Sequence, residues 1–570
     1  MGIQRYSWHG LTDRKLDSIE ELISVLLENR NIDPQKFFAT AFERNDSRLF
    51  PDFSKSIERV SRAKANDEPV VICGDYDADG ITSTAILFEA FQILGIKTEV
   101  FLPHREDDGY GLSEKTVEKV VPPAKLVIAI DNGTSAFEAI ALAKKKKVDV
   151  IVIDHHHLQA GPREGGHQLR EGMQLPKGAL VVNPERPDNK YPFTKFCAAG
   201  LAYKFASFLL KEFGREDEAK WLLDLAALGT LADRVPLTDE NRLIVIWGLR
   251  VIRDTRRPGL RSLLINSRIS RDSINADTVT FRIIPKLNAA GRMSHPDIAF
   301  KLLVSKDVLE AQKIALELEN LNNQRKSVTD RAVKEIHEKL TRSMPLPDII
   351  CMDGNWPAGI LGILAGKISD ELNRPAVAIS TEKQDCVGSM RGNGTINIAE
   401  TLSGLKKIFS KYGGHSEAGG FSFSLEKLSE IKSYFEKVKV PTKESLSVNY
   451  ECSIFPHMIN ITLAEKLEQL EPHGEGNERP TILLEDLEII EIQSMGAKKE
   501  HMRFLFSHPL AQGNLTGVFF HWGEYDLPEA GSRVDVVAEI KLDRYRSRTR
   551  VDLHLKDMKI HEEIKEKIII

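Results

Sequence analysis

The segment Gly74-Asp75-Tyr76-Asp77-Ala78-Asp79-Gly80 sets three carboxylates at alternate positions directly after the apolar run Val70–Cys73. Carboxylate oxygens are hard ligands suited to Mg²⁺ or Mn²⁺. Three so close together repel one another unless cations intervene, so a metal site explains the cluster better than a solvated acidic turn does. Two more apolar runs end in the same chemistry, Ala129-Ile130-Asp131-Asn132-Gly133 and Ile153-Asp154-His155-His156-His157. Imidazole extends the choice of ion toward Mn²⁺ or Zn²⁺. Any one of these acids alone reads as a helix cap or turn residue. The convergence of Asp75, Asp131 and Asp154 on strand ends points to a site.

Those acids need a scaffold that brings strand ends together. From about residue 69 to 184, short Val- and Ile-rich runs (Val70–Cys73, Val100–Leu102, Leu126–Ile130, Val148–Ile153, Leu180–Val182) alternate with helical stretches such as Ser83–Leu94 and Ser135–Lys146. This is the pattern of buried strands in a mainly parallel sheet, and open α/β sheets bind ligands at the carboxyl ends of their strands. Residues 196–250 read as helical and enclose Ala226–Asp233. Residues 305–341 lack Gly and Pro and repeat apolar positions at Val328, Ala332, Ile336 and Leu340, which predicts one helix on the order of 50 Å long. A second α/β unit follows, with strands at Ile349–Met352 and Ala376–Ile379 and a helix over Ile360–Leu372. After a linker at Val440–Ser447, β-type runs (Ile482–Leu484, Leu487–Ile492, Arg503–Phe506, Leu515–Phe520, Arg533–Ile540, Arg550–Leu555) predict a small barrel or sandwich.

At 570 residues the chain is too long for one core, and three or four domains are expected. A formal net charge of −5 excludes a uniformly basic polyanion binder but not local basic surfaces. The five cysteines form no C-x-x-C pair, which argues against a zinc ribbon or disulfide framework and for a reducing compartment. No apolar run reaches the roughly 18 residues of a membrane span, and the N-terminal stretch has no apolar secretion core. A cytoplasmic protein without membrane contact is expected.

Two families share parts of this chemistry. Asp77-Ala78-Asp79-Gly80-Ile81-Thr82 resembles the nucleophile motif of haloacid-dehalogenase phosphatases, which have no use for the histidine string. Asp75-Tyr-Asp77-Ala-Asp79-Gly80, Asp131-Asn-Gly133, Asp154-His155-His156 and Ala232-Asp233, in that order, resemble the four motifs of the DHH phosphoesterase family. Lys286-Leu-Asn-Ala-Ala-Gly-Arg292-Met293, Gly388-Ser389-Met-Arg391-Gly392, Tyr412-Gly-Gly-His415-Ser-Glu-Ala-Gly-Gly-Phe421 and Leu470-Glu-Pro-His-Gly-Glu-Gly-Asn477 extend the likeness to the RecJ exonucleases of that family, over roughly residues 50 to 555. The Gly-rich segment 159–177 and Glu478-Arg479-Pro480 depart from the family pattern without touching a proposed ligand.

The resemblance implies an α/β multidomain protein: an N-terminal extension (1–50), a DHH catalytic domain with an arginine-rich helical part (51–304), a long connecting helix (305–344), a DHH-associated domain (345–440) and an OB-type β-barrel (448–560). It also implies a single-strand-specific 5′→3′ DNA exonuclease that releases 5′-mononucleotides in repair and recombination. Two divalent cations, Mn²⁺ or Mg²⁺, would be held by Asp77, Asp79, Asp131, His155 and Asp233, with Asp131 as bridge. Such ion pairs, about 3.5–4 Å apart, activate water and stabilise the attacking and leaving oxygens. Asp75 would be a ligand or orient one, and His156 would orient or protonate the phosphate. Arg292, Ser389, Arg391, Gly413, Gly414 and His415 are the candidate phosphate clamp.

Further basic residues suggest where the strand runs. Arg250, Arg253, Arg256, Arg257, Arg261, Arg268, Arg271 and Arg282 crowd one stretch, and Lys541-Leu-Asp-Arg544-Tyr545-Arg546 interleaves charge with an aromatic. Beside a phosphodiesterase site such runs suit backbone phosphates and stacked bases, although a solvated helix face is the plainer account. The expected partner is single-stranded DNA, with a helicase or single-strand-binding protein as associate, and the chain is expected to be a monomer. The alternatives are an oligoribonuclease or cyclic-dinucleotide phosphodiesterase of the same superfamily, or a non-catalytic replication scaffold of the same fold.

Overall fold

The computed structural model describes residues 6–40, 45–105, 108–109, 111–158, 166–168, 174–341, 345–441, 447–496, 499–522, 528–545 and 548–561. Two compact units emerge. One combines Met1–Ala41, Leu237–Asp239 and Lys443–Ile570, and the other Phe42–Pro236 with Glu240–Thr442.

In the larger unit the five apolar runs become a wholly parallel sheet of β1 (Val70–Cys73), β2 (Thr98–Phe101), β3 (Leu126–Ile130), β4 (Asp149–Ile153) and β5 (Ala179–Val182), in spatial order β2-β1-β3-β4-β5. All four residues of β1 and all five of β3 are buried, as expected for strands covered on both faces. The order reverses between β1 and β3, and this switch point is where such sheets open a crevice at their carboxyl ends. Helix α1 (Ala78–Leu94) follows β1 and is buried nearly all round, as its apolar sequence requires. It packs against α2 (Ala198–Glu212) and α3 (Leu223–Ala232). It begins five residues before the expected helix, inside the acidic motif, because Asp77 caps it.

Helix α4 (Ile284–Met293) precedes α5 (Val308–Thr341), whose 34 residues extend about 51 Å at 1.5 Å per residue. Its buried positions, Ala311, Ala315, Leu318, Asn322, Thr329, Ala332 and Ile336, recur at helical spacing. It packs on α4 and, further along, on α6 (Leu361–Leu372). The following domain has strands β6 (Ile350–Gly354), β7 (Ala376–Ser380), β8 (Asp385–Arg391), β9 (Lys411–Gly414) and β10 (Ala418–Ser424), in order β6-β7-β8-β10-β9. The last three escaped the sequence analysis because glycines dilute them. Gly388 shows why glycine is needed, since a Cβ there would lie 2.2 Å from the Phe421 ring. Of the Gly-rich segment 159–177, Gly166–Gln168 pairs antiparallel with Gln174–Pro176; residues 159–165 and 169–173 lie outside the described residues.

In the smaller unit β11 (Thr481–Met495), β12 (His501–Ser507), β13 (Leu515–Phe519), β14 (Arg533–Tyr545) and β15 (Arg548–Ile560) form a closed barrel in order β12-β13-β15-β14-β11, with β11 pairing back to β12. The two expected runs 482–484 and 487–492 are one strand with a register shift between Leu484 and Leu487. There Asp486 adopts φ 63° and donates its N–H to Asp535 at 2.9 Å. The N-terminal residues belong to this unit. Ser7–Gly10 pairs with Ser447–Tyr450, Lys15–Leu16 pairs with Ser453–Ile454, and Leu22, Val25 and Leu26 of the helix Ile19–Asn29 enter the barrel's apolar core. A 2.6 Å ion pair from Arg30 to Glu451 ties them further. No described helix is long and apolar enough to cross a membrane.

Candidate active site

The carboxyl ends of β1, β3 and β4 deliver the acidic motifs to one crevice. Asp77 is the N-cap of α1, and its Oδ1 accepts from the N–H groups of Asp79 (3.0 Å) and Gly80 (3.1 Å). Asp79 lies in the first turn of the same helix. It accepts from Ala198 (2.8 Å) and Ala199 (2.9 Å), the first N–H groups of α2, where orphan donors and the helix dipole favour an anion. Asp131 follows β3 in a left-handed conformation, φ 63°, and its N–H bonds Ile153 of β4 at 3.0 Å. Asn132 braces the crevice by donating to Ile130 (2.8 Å) and Cys73 (3.3 Å).

His155 is the hub. Its Nε2 lies 3.2 Å from Asp131, 3.8 Å from Asp79 and 3.8 Å from Asp233, which follows α3. Asp75, Asp77 and Asp131 present oxygens within 4.8 Å of one another, and a ring nitrogen of His156 lies within the same distance of ligand atoms on Asp131 and His155. The structure therefore brings Asp75, Asp77, Asp79, Asp131, His155, His156 and Asp233 together.

The electrostatics are those of a site short of positive charge. Burial, then the neighbouring Asp77, raises Asp79 to about 6. Burial, then Asp79 and Asp77, raises Asp233 to about 8. Asp75 and Asp131 are pushed well above the carboxylate range, first by burial and then by adjacent aspartates. Burial and the adjacent His156 lower His155 to about 4, which leaves it as the neutral imidazole that ligates metals. His156 behaves oppositely. Burial disfavours its charge, but a 2.7 Å hydrogen bond between Nδ1 and Asp154 and the surrounding carboxylates raise it to about 9.

Asp154 is thus the partner that orients His156. Its carboxylate also accepts from the N–H groups of His155 (2.8 Å), His156 (3.2 Å) and Thr134 (3.0 Å). Against the cost of burial, the His156 bond and these histidines hold it well below its ordinary range. Asp75 Oδ1 is buried without a hydrogen-bond partner among the described residues. An orphaned carboxylate oxygen among raised carboxyls, with one neutral imidazole, is a donor set that fits Mn²⁺ or Mg²⁺.

Guanidinium groups gather beside the acids. Arg292 of α4 donates to Gly359 at 3.1 Å, and burial followed by Arg105 and Arg325 lowers it to about 10. Arg391 of β8 donates to Ser389 (3.0 Å) and Met390 (2.9 Å), and burial followed by Arg105 lowers it as well. Arg105 stacks over Tyr76 at 4.1 Å. The Nε atoms of Arg105 and Arg325 are buried without partners among the described residues. Mutual repulsion among these groups marks a seat for an anion. Gly413 and Gly414 sit exposed at the end of β9, and the His415 ring lies 5.7 Å from that of His157.

Three contributors were absent from the sequence-based set. Arg105 lies just beyond the carboxyl end of β2, so the strand-end argument extended to that strand would have found it. Asn288, whose Oδ1 accepts from Ala78 N–H at 2.8 Å, stands inside the motif quoted around Arg292. Arg325, in the middle of a polar helix, carried no signal.

The arginine-rich stretch is corrected. Arg257 is not a phosphate ligand: it is 7% exposed, and its guanidinium bonds Glu89 (2.5 Å), Asp224 (2.8 Å), Leu303 O (3.2 Å) and Trp221 O (3.3 Å). Its neighbours are also spent on local structure. Arg253 donates to Ile274 O (2.7 Å), Arg261 to Thr255 O (2.9 Å), Arg271 pairs with Asp254 (2.7 Å) and Arg256 covers Trp221 at 3.4 Å. Arg282 is exposed and donates to Ser267 O. In the smaller unit Arg544 makes a bidentate pair with Glu468 (2.7 and 2.6 Å), and Arg546 lies outside the described residues.

The DHH family N-terminal domain matches residues 69–230, the DHHA1 domain 346–439 and the RecJ OB domain 450–557. The single-stranded-DNA-specific exonuclease RecJ of Bacillus subtilis is 31% identical over 560 residues, covering 95% of this chain and 68% of that protein. The chain belongs to the RecJ family. A RecJ of Dickeya dadantii is 29% identical, covering 89% of this chain and 90% of its own. The crystal structure of RecJ in complex with Mn²⁺ from Thermus thermophilus superimposes with a TM-score of 0.80 at 25% identity, covering 98% of this chain and 80% of that one.

Proposed function

We propose that the chain is a single-strand-specific 5′→3′ exodeoxyribonuclease that releases 5′-mononucleotides by metal-assisted hydrolysis, acting in repair and recombination. The observation that carries this reading is the crevice at the β1/β3 switch point, where five aspartates and His155 face one another and are joined by His156 and the arginine group. Asp77, Asp79, Asp131, His155 and Asp233 would hold a pair of divalent ions, with Asp75 completing or orienting the set. Bound there, a pair of divalent ions would supply Lewis acidity for activating water and offsetting charge on the reacting phosphate.

The chain's own residues do the rest. His156, oriented by Asp154, holds a proton toward the reacting phosphate. Arg391 with Ser389 and Arg292, assisted by Arg105, bind phosphate oxygens, and Asn288 fixes the start of α1 so that Asp77 and Asp79 keep their positions. Gly413, Gly414 and His415 cap the crevice from the DHH-associated domain. Residues 1–50 form the N-terminal extension, 51–304 the catalytic domain, 305–344 the connecting helix, 345–440 the associated domain and 448–560 a strand-binding barrel. Monomeric, cytoplasmic action with a helicase or single-strand-binding protein supplying unpaired DNA completes the reading.

Long single strands labelled at either end, incubated with Mn²⁺ or Mg²⁺, test it. Immediate mononucleotide release from the 5′ label is expected. Internal fragments or loss of the 3′ label first would reject it.

A further inference from the structure

Two of the arginines beside the acids are anchored by hydrogen bonds. Arg292 donates to Gly359 O, and Arg391 donates to Ser389 and Met390 O. Arg105 is held differently. Among the described residues it has the face of Tyr76, at 4.1 Å, and a buried Nε without a partner. It also lies close enough to Arg292 and Arg391 for the like charges to depress both. A long cationic side chain facing like charges needs its backbone fixed from elsewhere if it is to stay.

The residue before Arg105 supplies that fixture. His104 and His295 stack with ring centroids 5.7 Å apart and planes 13° from parallel, the offset arrangement that aromatic rings favour. The His104 N–H donates to Asp108 at 2.9 Å, and its carbonyl accepts from the Asp108 N–H at 2.9 Å, which closes a tight turn beyond β2. Lys119 pairs with Asp108 and ties the turn down. On the other side, His295 lies in the short connection between α4, which carries Arg292, and the helix Asp297–Val304, which packs on α1. Its Nδ1 accepts from the Asp297 N–H at 3.2 Å and lies 3.5 Å from Asp297 Oδ1. That N–H is one of the free donors at a helix start. The bond fixes one edge of the ring and leaves its face to His104.

We propose that the stacked pair His104–His295 is a positioning device, a clasp that holds the segment bearing Arg105 against the helix end bearing Arg292. Both guanidinium groups are then kept facing one phosphate against their mutual repulsion. The inference rests on the reading above in which Arg105 assists phosphate binding. Both histidines act through Arg105.

Steady-state cleavage of a single-stranded 20-mer by the full-length chain with Mn²⁺ tests this. Arg105→Ala should raise KM about tenfold or more, as the loss of a charge-assisted bond to phosphate requires. His295→Asn keeps an acceptor for the Asp297 N–H but loses the ring, and should raise KM about 2- to 12-fold, the worth of one stacked pair. His295→Phe keeps the ring but loses the acceptor, and its KM should stay near that of the wild type. A His295 that served only the fold would reverse this order. Combined with Arg105→Ala, His295→Asn should raise KM no further, because its effect is carried by the missing guanidinium. Should His295→Asn melt below the assay temperature, His104→Ala reads the same stack from its other side, with the same result expected. A wild-type KM in the folded ring-deleted variant, or an effect that adds in full to that of Arg105→Ala, would overturn the clasp and leave the phosphate seat intact. A wild-type KM in Arg105→Ala would remove Arg105 from the seat and the clasp with it. A wild type that cleaves no single strand would overturn the exonuclease reading itself.

Discussion

Two clusters of buried charge lie along α1, and their difference separates structure from chemistry. Near the helix's second half, Arg257 is enclosed by Glu89 and Asp224, with two backbone carbonyls taking its remaining bonds. Against the cost of burial, Arg257 holds Glu89 below its ordinary range, and the acids raise Arg257. Opposite charges there meet nearly every need of the group that burial isolates. At the helix's first turn, Asp75, Asp79, Asp131 and Asp233 gather around Asp77, and burial and neighbouring carboxylates drive these four toward protonation. The first cluster is complete as it stands. The second is completed by ions.

The largest expected effect follows from breaking the second cluster. Asp131→Ala should lower Mn²⁺-dependent strand cleavage by about a thousandfold or more, since several kcal/mol of charge stabilisation is withdrawn. The metal-free Asp131→Asn variant should keep or exceed wild-type stability, because a repelling carboxyl is gone and asparagine tolerates the left-handed φ of 63°. Rate measurements beside a thermal melt check both halves, and a destabilised metal-free Asp131→Asn would break the comparison.

Breaking the first cluster should do the reverse. Arg257→Met leaves buried Asp224 without its guanidinium and Glu89 with only the exposed Lys306, and is expected to cost about 3–5 kcal/mol in urea unfolding. At a temperature where the variant is folded, turnover should remain close to wild type. A loss of cleavage without a loss of stability would return Arg257 to the phosphate-binding set.

Arg391→Ala sharpens the contrast within the site itself. Removing one charge-assisted bond to phosphate costs about 1.5–3 kcal/mol, so kcat/KM for single strands should fall about 10- to 100-fold. Mn²⁺ binding should be unchanged in calorimetry.

The pH dependence of stability reads the same cluster without any substitution. In the folded chain without ions Asp79 keeps its proton to about 6 and Asp233 to about 8, against an ordinary value of 3.8. Between those values the folded state binds more protons than the unfolded state, so stability falls as pH rises through the window. Melting of the metal-free protein should decline from about pH 5 to about pH 8.5. Saturating Mn²⁺, which displaces those protons, should remove the decline.

The acidic half of the site was legible because its residues stand at the ends of apolar strands, where sequence position and spatial position coincide. Asp75, Asp131 and Asp154 needed only the strand-end rule. The division of labour between Asp154 and His156 was not legible, since it depends on a 2.7 Å contact that these two motif residues could equally have made with other groups. The arginines show the converse. Density along the chain between Arg250 and Arg282 suggested a channel, yet most of those side chains close helix ends, cover tryptophans or pair with acids. The group that does converge takes Arg105, Arg292, Arg325 and Arg391 from four distant segments. The strands β8 to β10 were hidden by the glycines that let Phe421 pack beside Gly388. The helix Ile19–Asn29 was not read from the N-terminal stretch, and nothing local there could show that a C-terminal barrel receives it.

Manganese binding measured by electron paramagnetic resonance, on the wild type and on Asp131→Ala, tests the central claim most directly. The unsatisfied cluster predicts two tightly held ions per wild-type chain, with protons released as they bind and strand cleavage appearing as the sites fill. Asp131→Ala should lose at least one ion together with the activity. A wild type that binds no tight Mn²⁺, or that cleaves single strands fully in excess chelator, would contradict it.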